Sequence, residues 1–195
     1  MKEIWDQRYA QKEYVYGTEP NSFFKEQLLN LQAGKILLPA EGEGRNAVHA
    51  ALSGWDVTAF DSSSMAIKKA DSFAVAKSVK ITYHNFSFEE ANFPENTFDG
   101  IALIYAHAHN RKDNHKKIFK FLKAGGTIIL EGFSKNQINN QTGGPQNSGM
   151  LFSEKELRED FSMLSDLKIW ENDIILDEGK HHKGKASIIR LIGKK

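Results

Sequence analysis

The sequence predicts an α/β protein: a doubly wound, mostly parallel seven-stranded sheet with one antiparallel strand and helices on both faces. Three observations carry this. Short apolar runs of strand length alternate with helical stretches from Lys35 to Leu130, the pattern of repeated βα units. The first unit, Lys35 to Asp61, places a glycine-bearing turn between its strand and helix and an acid at the end of its second strand. The last two strands, Lys168–Leu176 and Ala186–Ile192, follow each other through a turn with no helix between them, which makes them antiparallel.

In that first unit Ile36-Leu37-Leu38 has the length of a buried strand. The turn is Glu41-Gly42-Glu43-Gly44-Arg45-Asn46. A helix follows in which Ala47, Ala50 and Ala51 share a face, with Gly54 as its C-cap. Val57-Thr58-Ala59-Phe60 forms the second strand and delivers Asp61, 19 positions past Gly42 (61 − 42). Open α/β sheets bind nucleoside-bearing cofactors this way: glycines let the ligand approach the backbone, and the acid accepts hydrogen bonds from ribose hydroxyls. Gly42-x-Gly44-x-x-Ala47 also satisfies the loose dinucleotide fingerprint, so charge has to discriminate. A pyrophosphate sits on a partly positive helix N-terminus, and Glu41 and Glu43 would repel it. S-adenosyl-L-methionine carries an ammonium and a sulfonium and no phosphate, so an acidic turn favours it over NAD.

Residues 1–32 precede the first strand and carry Trp5, Tyr9, Tyr14, Tyr16, Phe23 and Phe24. Ile4-Trp5 and Arg8-Tyr9 share a helical face, and Glu19-Pro20-Asn21 starts a second helix through Leu28, Leu29 and Leu31. The segment is either packing on the sheet or a lid that keeps water from a bound donor. After Asp61, Ser62-Ser63-Ser64 caps a helix carrying Met65, Ile67 and Ala70. Val79–Tyr83 alternates and reads as the third strand, with Asn85 to Phe88 beyond it. Phe98–Tyr105 is the fourth strand, followed by Ala106-His107-Ala108-His109. A helix with Ile118, Phe119 and Leu122 runs to Ala124-Gly125-Gly126, and Thr127–Leu130 is the fifth strand, ending at Glu131. Residues 135–149 form a long polar loop of a kind that usually serves function. Ser153 to Glu156 is a capping box opening the next helix.

The 195 residues are read as one domain, 1–195, large enough for a real core. With 26 basic and 25 acidic residues the net charge is +1, which leaves no broad positive field for nucleic acid. There is no cysteine; disulfides, thiolate metal sites and a cysteine nucleophile are excluded. The N-terminus lacks an apolar h-region and no run approaches a membrane span. The expected protein is cytoplasmic, a monomer or homodimer, without membrane or nucleic-acid partners.

The ordered set Trp5-Asp6-Gln7-Arg8-Tyr9, Tyr16-Gly17-Thr18-Glu19-Pro20-Asn21, Glu41 to Ala47, Tyr105-Ala106-His107, Thr142-Gly143-Gly144-Pro145 and His182-x-Gly184-x-Ala186 resembles the class I S-adenosylmethionine-dependent methyltransferases. Within them it is most similar to the small tellurite-resistance and thiopurine methyltransferase-like proteins. The resemblance spans nearly the whole chain; it is specific for fold and donor and unspecific for acceptor. It implies a seven-stranded sheet, with Glu41, Gly42 and Gly44 along the methionine moiety, Asp61 at the ribose, and Ser87-Phe88 at the adenine edge. The full cofactor-binding set it implies adds Trp5, Arg8, Tyr16, Asn46, Ser62 and Ala106. Many relatives have an aspartate near Asn85–Ser87; here those positions are neutral.

Methyl transfer from a sulfonium needs alignment and desolvation above all, and a base only where the acceptor must lose a proton. Without cysteine the covalent route to cytosine carbon is closed, and no Asn/Asp-Pro-Pro-aromatic segment follows the fourth strand. A small-molecule thiol, heteroatom oxyanion or hydroxyl is the expected acceptor. His107, just past the fourth strand, is the expected catalytic residue, with His109 as fallback; no metal site is expected. His181 and His182 read as solvated loop residues. Two alternatives stay open: a nicotinamide-dependent oxidoreductase, and a donor-binding protein without transfer activity.

Overall fold

The computed structural model describes residues 2–140, 142–179 and 181–195. Its sheet has seven strands: β1 (Lys35–Pro39), β2 (Asp56–Asp61), β3 (Thr82–Asn85), β4 (Phe98–Ile104), β5 (Leu122–Phe133), β6 (Ser165–Asp177) and β7 (Lys183–Lys194). Their order is β3-β2-β1-β4-β5-β7-β6. Strands β1 to β5 pair in parallel, and β7 runs antiparallel to both β5 and β6. One strand is therefore reversed, as expected, and the chain changes direction across the sheet between β1 and β4. Ligands of open α/β sheets bind at the carboxyl edge of such a switch point.

The central parallel strands β1 and β4, and β5 from Thr127 on, are buried on both faces, which is why they read as continuous apolar runs. Ile36, Leu38, Ala102, Ile104 and Ile129 pack on one side with Phe23, Phe24 and Leu28 of α2 (Ser22–Leu28) and Ala47 and Ala50 of α3 (Arg45–Leu52). Leu37, Ile101, Leu103, Ile128 and Leu130 pack on the other, with Ile118 and Phe121 of α5 (Arg111–Phe121) and Leu157 of α6 (Glu154–Asp160). α4 (Ser64–Ala76) lies beside α3, and α1 (Lys2–Tyr9) lies on α4.

The expected caps are present. Ser63 Oγ accepts from Ala66 N–H at the start of α4, and at the start of α6 Ser153 Oγ accepts from Glu156 N–H (3.4 Å) while its hydroxyl donates to the Glu156 carboxylate (2.6 Å). Gly54, φ +87°, follows the α3 cap residue Ser53 in the left-handed region.

Three boundaries differ from the sequence reading. β3 begins at Thr82, not Val79, because α4 closes through a left-handed Ser78 and Val79 N–H bonds back to Ala74. Leu122 leaves the helix and opens β5 opposite Phe98. The Gly125-Gly126 break lies inside β5, where both residues bond the Lys195 backbone. The 135–149 segment carries two short 3₁₀ turns, Lys135–Asn139 and Ser148–Met150; Gln141 within it, Lys180 of the closing turn and Met1 lie outside the described residues.

Candidate active site

The site is built at the carboxyl edge of β1, β2, β4 and β5. Beyond β1 the backbone turns through three left-handed residues at alternate positions: Ala40 (φ 51°), Gly42 (φ 67°) and Gly44 (φ 85°). Ala40 was not legible as part of this loop, since an alanine adopts that region only at a cost. Two of the glycines also make room. A Cβ on Gly42 would lie 2.7 Å from the Tyr9 hydroxyl, and one on Gly44 would lie 2.7 Å from Ala70 Cβ of α4.

Asp61 braces this loop from the end of β2. Its carboxylate accepts from Gly42 N–H (3.0 Å) and Ser63 N–H (2.8 Å), and burial pushes its pKa up to about 6. Tyr83 O–H donates to Gly42 O from β3 (2.7 Å). Glu41 folds over the N-terminus of α3 and accepts from Asn46 and Ala47 N–H, each at 2.8 Å. Burial raises its pKa to about 7 against the pull of those donors.

Glu43 does something the charge argument did not foresee. It turns away from the loop, accepts from Val15 N–H (2.7 Å) and pairs with Lys69. Of the two flanking carboxylates Glu41 stays beside the loop, held by the Asn46 and Ala47 N–H groups and near enough to Arg45 to feel its charge. The anion-repelling character of the turn rests chiefly on Asp61, since burial leaves Glu41 to ionise only near pH 7.

The leader lies across the loop. Tyr9 is buried against Gly42, Trp5 stacks on Tyr9 at 5.5 Å, and the Arg8 guanidinium covers Trp5 at 4.8 Å and donates to Tyr16 O–H (3.1 Å). Asp6 accepts from Ser63 O–H (2.6 Å), pinning α1 to the α4 cap. Thus Trp5, Arg8, Tyr16, Glu41, Gly42, Gly44 and Asp61 converge. Ser62 sits at the rim, its carbonyl accepting from Asn85 Nδ2 (3.1 Å).

The remaining expected residues are placed differently. Phe88 is core: it packs edge-on against Phe60 at 5.4 Å, in the cluster that holds Ile118 and Leu157. Ala106 is buried in the same cluster. Half-buried Phe86 stacks on His84 at 5.2 Å just past the end of β3. Ser87 uses its N–H on Glu90 (2.8 Å). Asn46 spends its side chain inside the protein, accepting from Asn21 N–H (2.9 Å) and donating to Glu41.

His107 does not have the free nitrogen a base needs. Met150 O can only accept and Phe133 N–H can only donate, so Nδ1 donates to the first (2.8 Å) and Nε2 accepts from the second (2.9 Å). Its ring is stacked on Phe152 at 4.4 Å, and burial pulls its pKa down to about 4. The expected general base is held as a structural tie between the strand end and the 135–150 segment. His109, the fallback, accepts on its backbone oxygen from Asn114 Nδ2 (3.2 Å), at the start of α5.

His182, read from sequence as solvated, is 6 % exposed. Its ring lies between Tyr16 (4.5 Å) and Tyr105 (4.7 Å) with Phe133 at 5.2 Å. Nδ1 faces Glu178 Oε2 at 3.5 Å, and that carboxylate is held by Arg45 Nη2 at 2.9 Å. Burial works to raise the Glu178 pKa, but His182 and Arg45 outweigh it and hold it at about 2. Burial keeps His182 below its ordinary value. Beyond Arg45 and Glu178 opens a cavity of about 350 Å³, walled also by Tyr16, Pro20, Glu131 and Leu176. Glu178 lies four residues from His182 in the hairpin, while Tyr16, Arg45, Tyr105 and Phe133 come from the leader, α3, the end of β4 and β5, far apart in sequence.

Residues 36–126, the span from β1 into β5, match the model of a family described as a methyltransferase domain. Over that span the chain is similar to the methyltransferase-domain family. The glycine loop and the acid at the end of β2 both fall within that span. Solved structures share the fold at low identity. One, from work on the conversion of a disulfide bond into a thioacetal group during echinomycin biosynthesis, has a TM-score of 0.79 at 16% identity and covers 100% of this chain and 92% of its own. TehB from Haemophilus influenzae has a TM-score of 0.74 at 17% identity, over 100% of this chain and 66% of its own. Phosphoethanolamine N-methyltransferase 2 from Haemonchus contortus, solved with S-adenosyl-L-methionine, has a TM-score of 0.72 at 14% identity, over 97% of this chain and 57% of its own. No curated protein sequence matches the chain. Among the described residues no helix is long and apolar enough to cross a membrane, and no three His, Asp or Glu side chains form a metal-binding group.

Proposed function

We propose that this protein moves the methyl group of S-adenosylmethionine to a small-molecule thiol, oxyanion or hydroxyl. The observation that carries the reading is the left-handed loop at Ala40, Gly42 and Gly44 braced by Asp61 at the switch point of the sheet. The donor's methionine part lies along the loop near Glu41, and its ribose hydroxyls donate to Asp61, whose carboxylate retains acceptor capacity beyond its two backbone bonds. Trp5, Tyr9 and Tyr16 roof it as a lid and exclude water. The neighbouring cavity of about 350 Å³ is at the small end of ligand pockets, which favours a small acceptor over a macromolecule.

Where the acceptor must lose a proton, His182 is the group we assign to take it. Glu178 faces its Nδ1 and Tyr16 and Tyr105 wall its ring, and a neutral imidazole is the form that accepts a proton. The acceptor heteroatom attacks the methyl carbon, the carbon–sulfur bond breaks with its electron pair going to sulfur, and the acceptor proton passes to His182. The test is calorimetric titration with S-adenosylhomocysteine and, separately, NADH. Heat with the first and none with the second is expected; the reverse would make the protein an oxidoreductase.

A further inference from the structure

Asn21 is 1 % exposed and joins four parts of the chain. Its Oδ1 accepts from Phe24 N–H (2.9 Å) and caps α2. Its backbone N–H donates to Asn46 Oδ1 (2.9 Å), and Asn46 in turn donates to Glu41 (3.3 Å) beside the donor loop. Its Nδ2 donates to Glu131 Oε1 (2.6 Å) and reaches Glu178 Oε1 (3.3 Å). Glu131 is itself fully buried at the end of β5 and takes Tyr105 O–H (2.9 Å) and Arg190 Nε–H (2.7 Å). A continuous run of hydrogen bonds therefore passes from Glu41, through Asn46 and Asn21, to the Glu131–Tyr105 and Glu178–His182 pairs.

We propose that Asn21 is a positioning residue for methyl transfer, locking the leader, the donor loop and the acceptor-side pair Tyr105 and His182 into one register. Capping alone does not call for this amide, because aspartate and serine cap helices about as well as asparagine. What only an amide supplies here is an N–H group against two carboxylates together with an oxygen toward the helix. Holding the leader in this register keeps Tyr16 against His182 and Tyr9 over Gly42, so donor retention depends on a residue that touches no donor. The inference rests on the reading that the loop binds S-adenosylmethionine.

The test compares N21S and N21D by calorimetry with S-adenosylhomocysteine between pH 8 and pH 6, with thermal melting to confirm folding. Both variants keep the α2 cap and the backbone N–H bond to Asn46, and lose the side-chain N–H donors to Glu131 and Glu178. N21S should weaken binding about tenfold to a hundredfold, the scale of lost hydrogen bonds to charged groups, with the same pH profile as the wild type. N21D places a third carboxylate beside Glu131 and Glu178; it should bind more weakly still at pH 8 and recover toward the N21S level as the pH falls and one carboxylate takes up a proton. Adding E131Q to N21D should restore affinity at pH 8, since the glutamine amide can donate to the new carboxylate, and this pair decides the matter if N21D alone does not fold. Wild-type affinity in N21D at pH 8, equal and pH-independent losses in both variants, or no rescue by E131Q would overturn the proposal. Failure of the wild-type protein to bind S-adenosylhomocysteine would instead overturn the donor reading beneath it.

Discussion

Replacing Gly44 by alanine isolates what the glycine loop contributes. The residue has φ +85°, and an added Cβ would lie 2.7 Å from Ala70 Cβ and 3.1 Å from Ala70 Cα. The left-handed conformation costs a residue with a Cβ about 1–2 kcal/mol. The contact is with the body of α4, not the end of a flexible side chain, so relief requires moving α3 and α4 apart, an overpacking cost of about 1–3 kcal/mol. The sum is about 2–5 kcal/mol. At about 2–4 °C per kcal/mol for a chain of this size, melting should fall by about 4–20 °C. Gly54→Ala is the matched control: φ is +87° and nothing lies within 4 Å of the added atom, so only the conformational cost of about 1–2 kcal/mol applies. Thermal melting and calorimetry with S-adenosylhomocysteine read the two variants side by side. Gly44→Ala should melt lower than Gly54→Ala and bind more weakly, because the displaced α3 carries the loop with it. Equal melting temperatures and equal affinities would refute the claim that close approach of α4 shapes the donor site.

Asp61→Ala should weaken S-adenosylhomocysteine about tenfold to a hundredfold by calorimetry, from lost hydrogen bonds to a charged acceptor; unchanged affinity would remove Asp61 from the ribose. His107→Ala should lower stability by about 1–3 kcal/mol, the cost of leaving half-buried Met150 O and the Phe133 N–H unpaired, while donor affinity per folded molecule stays near wild type. His182→Gln should leave donor affinity nearly intact and cut turnover about a hundredfold or more with any acceptor that must shed a proton; equal turnover would remove His182 from proton handling. The Glu41 pKa, raised to about 7, sets a pH dependence. The unfolded chain releases this proton near the ordinary glutamate value while the folded protein still holds it, so Glu41 costs stability progressively as pH rises from about 4 to about 7. Relative to wild type, Glu41→Gln should therefore gain stability across that window in urea titrations at pH 4 and pH 8; a constant difference would contradict burial as the cause.

The donor half of the site was written locally in the chain. Ile36 to Asp61 is one βαβ unit whose turn, helix and acid are fixed by near neighbours, and the backbone that Gly42 and Gly44 allow is a property of those residues themselves. Ser63 and Ser153 were legible as caps for the same reason. Boundaries failed where a distant partner decided them: Leu122 joins β5 because Phe98 is there to pair with it, and Gly125 and Gly126 continue that strand because the C-terminal backbone bonds them. The acceptor half was not legible, because its groups become what they are only by contact. His107 follows β4 as expected, yet Met150 and Phe133, 43 and 26 positions away, take both its nitrogens. His182 looked like a loop residue until Glu178, Tyr16 and Tyr105 closed around it. Glu43 seemed to face the ligand until Lys69 and the Val15 amide drew it aside. Spacing along a chain conveys which side chains share a turn or a face; which polar atoms are already satisfied, and hence which remain free for chemistry, is settled only when segments far apart in sequence are packed together.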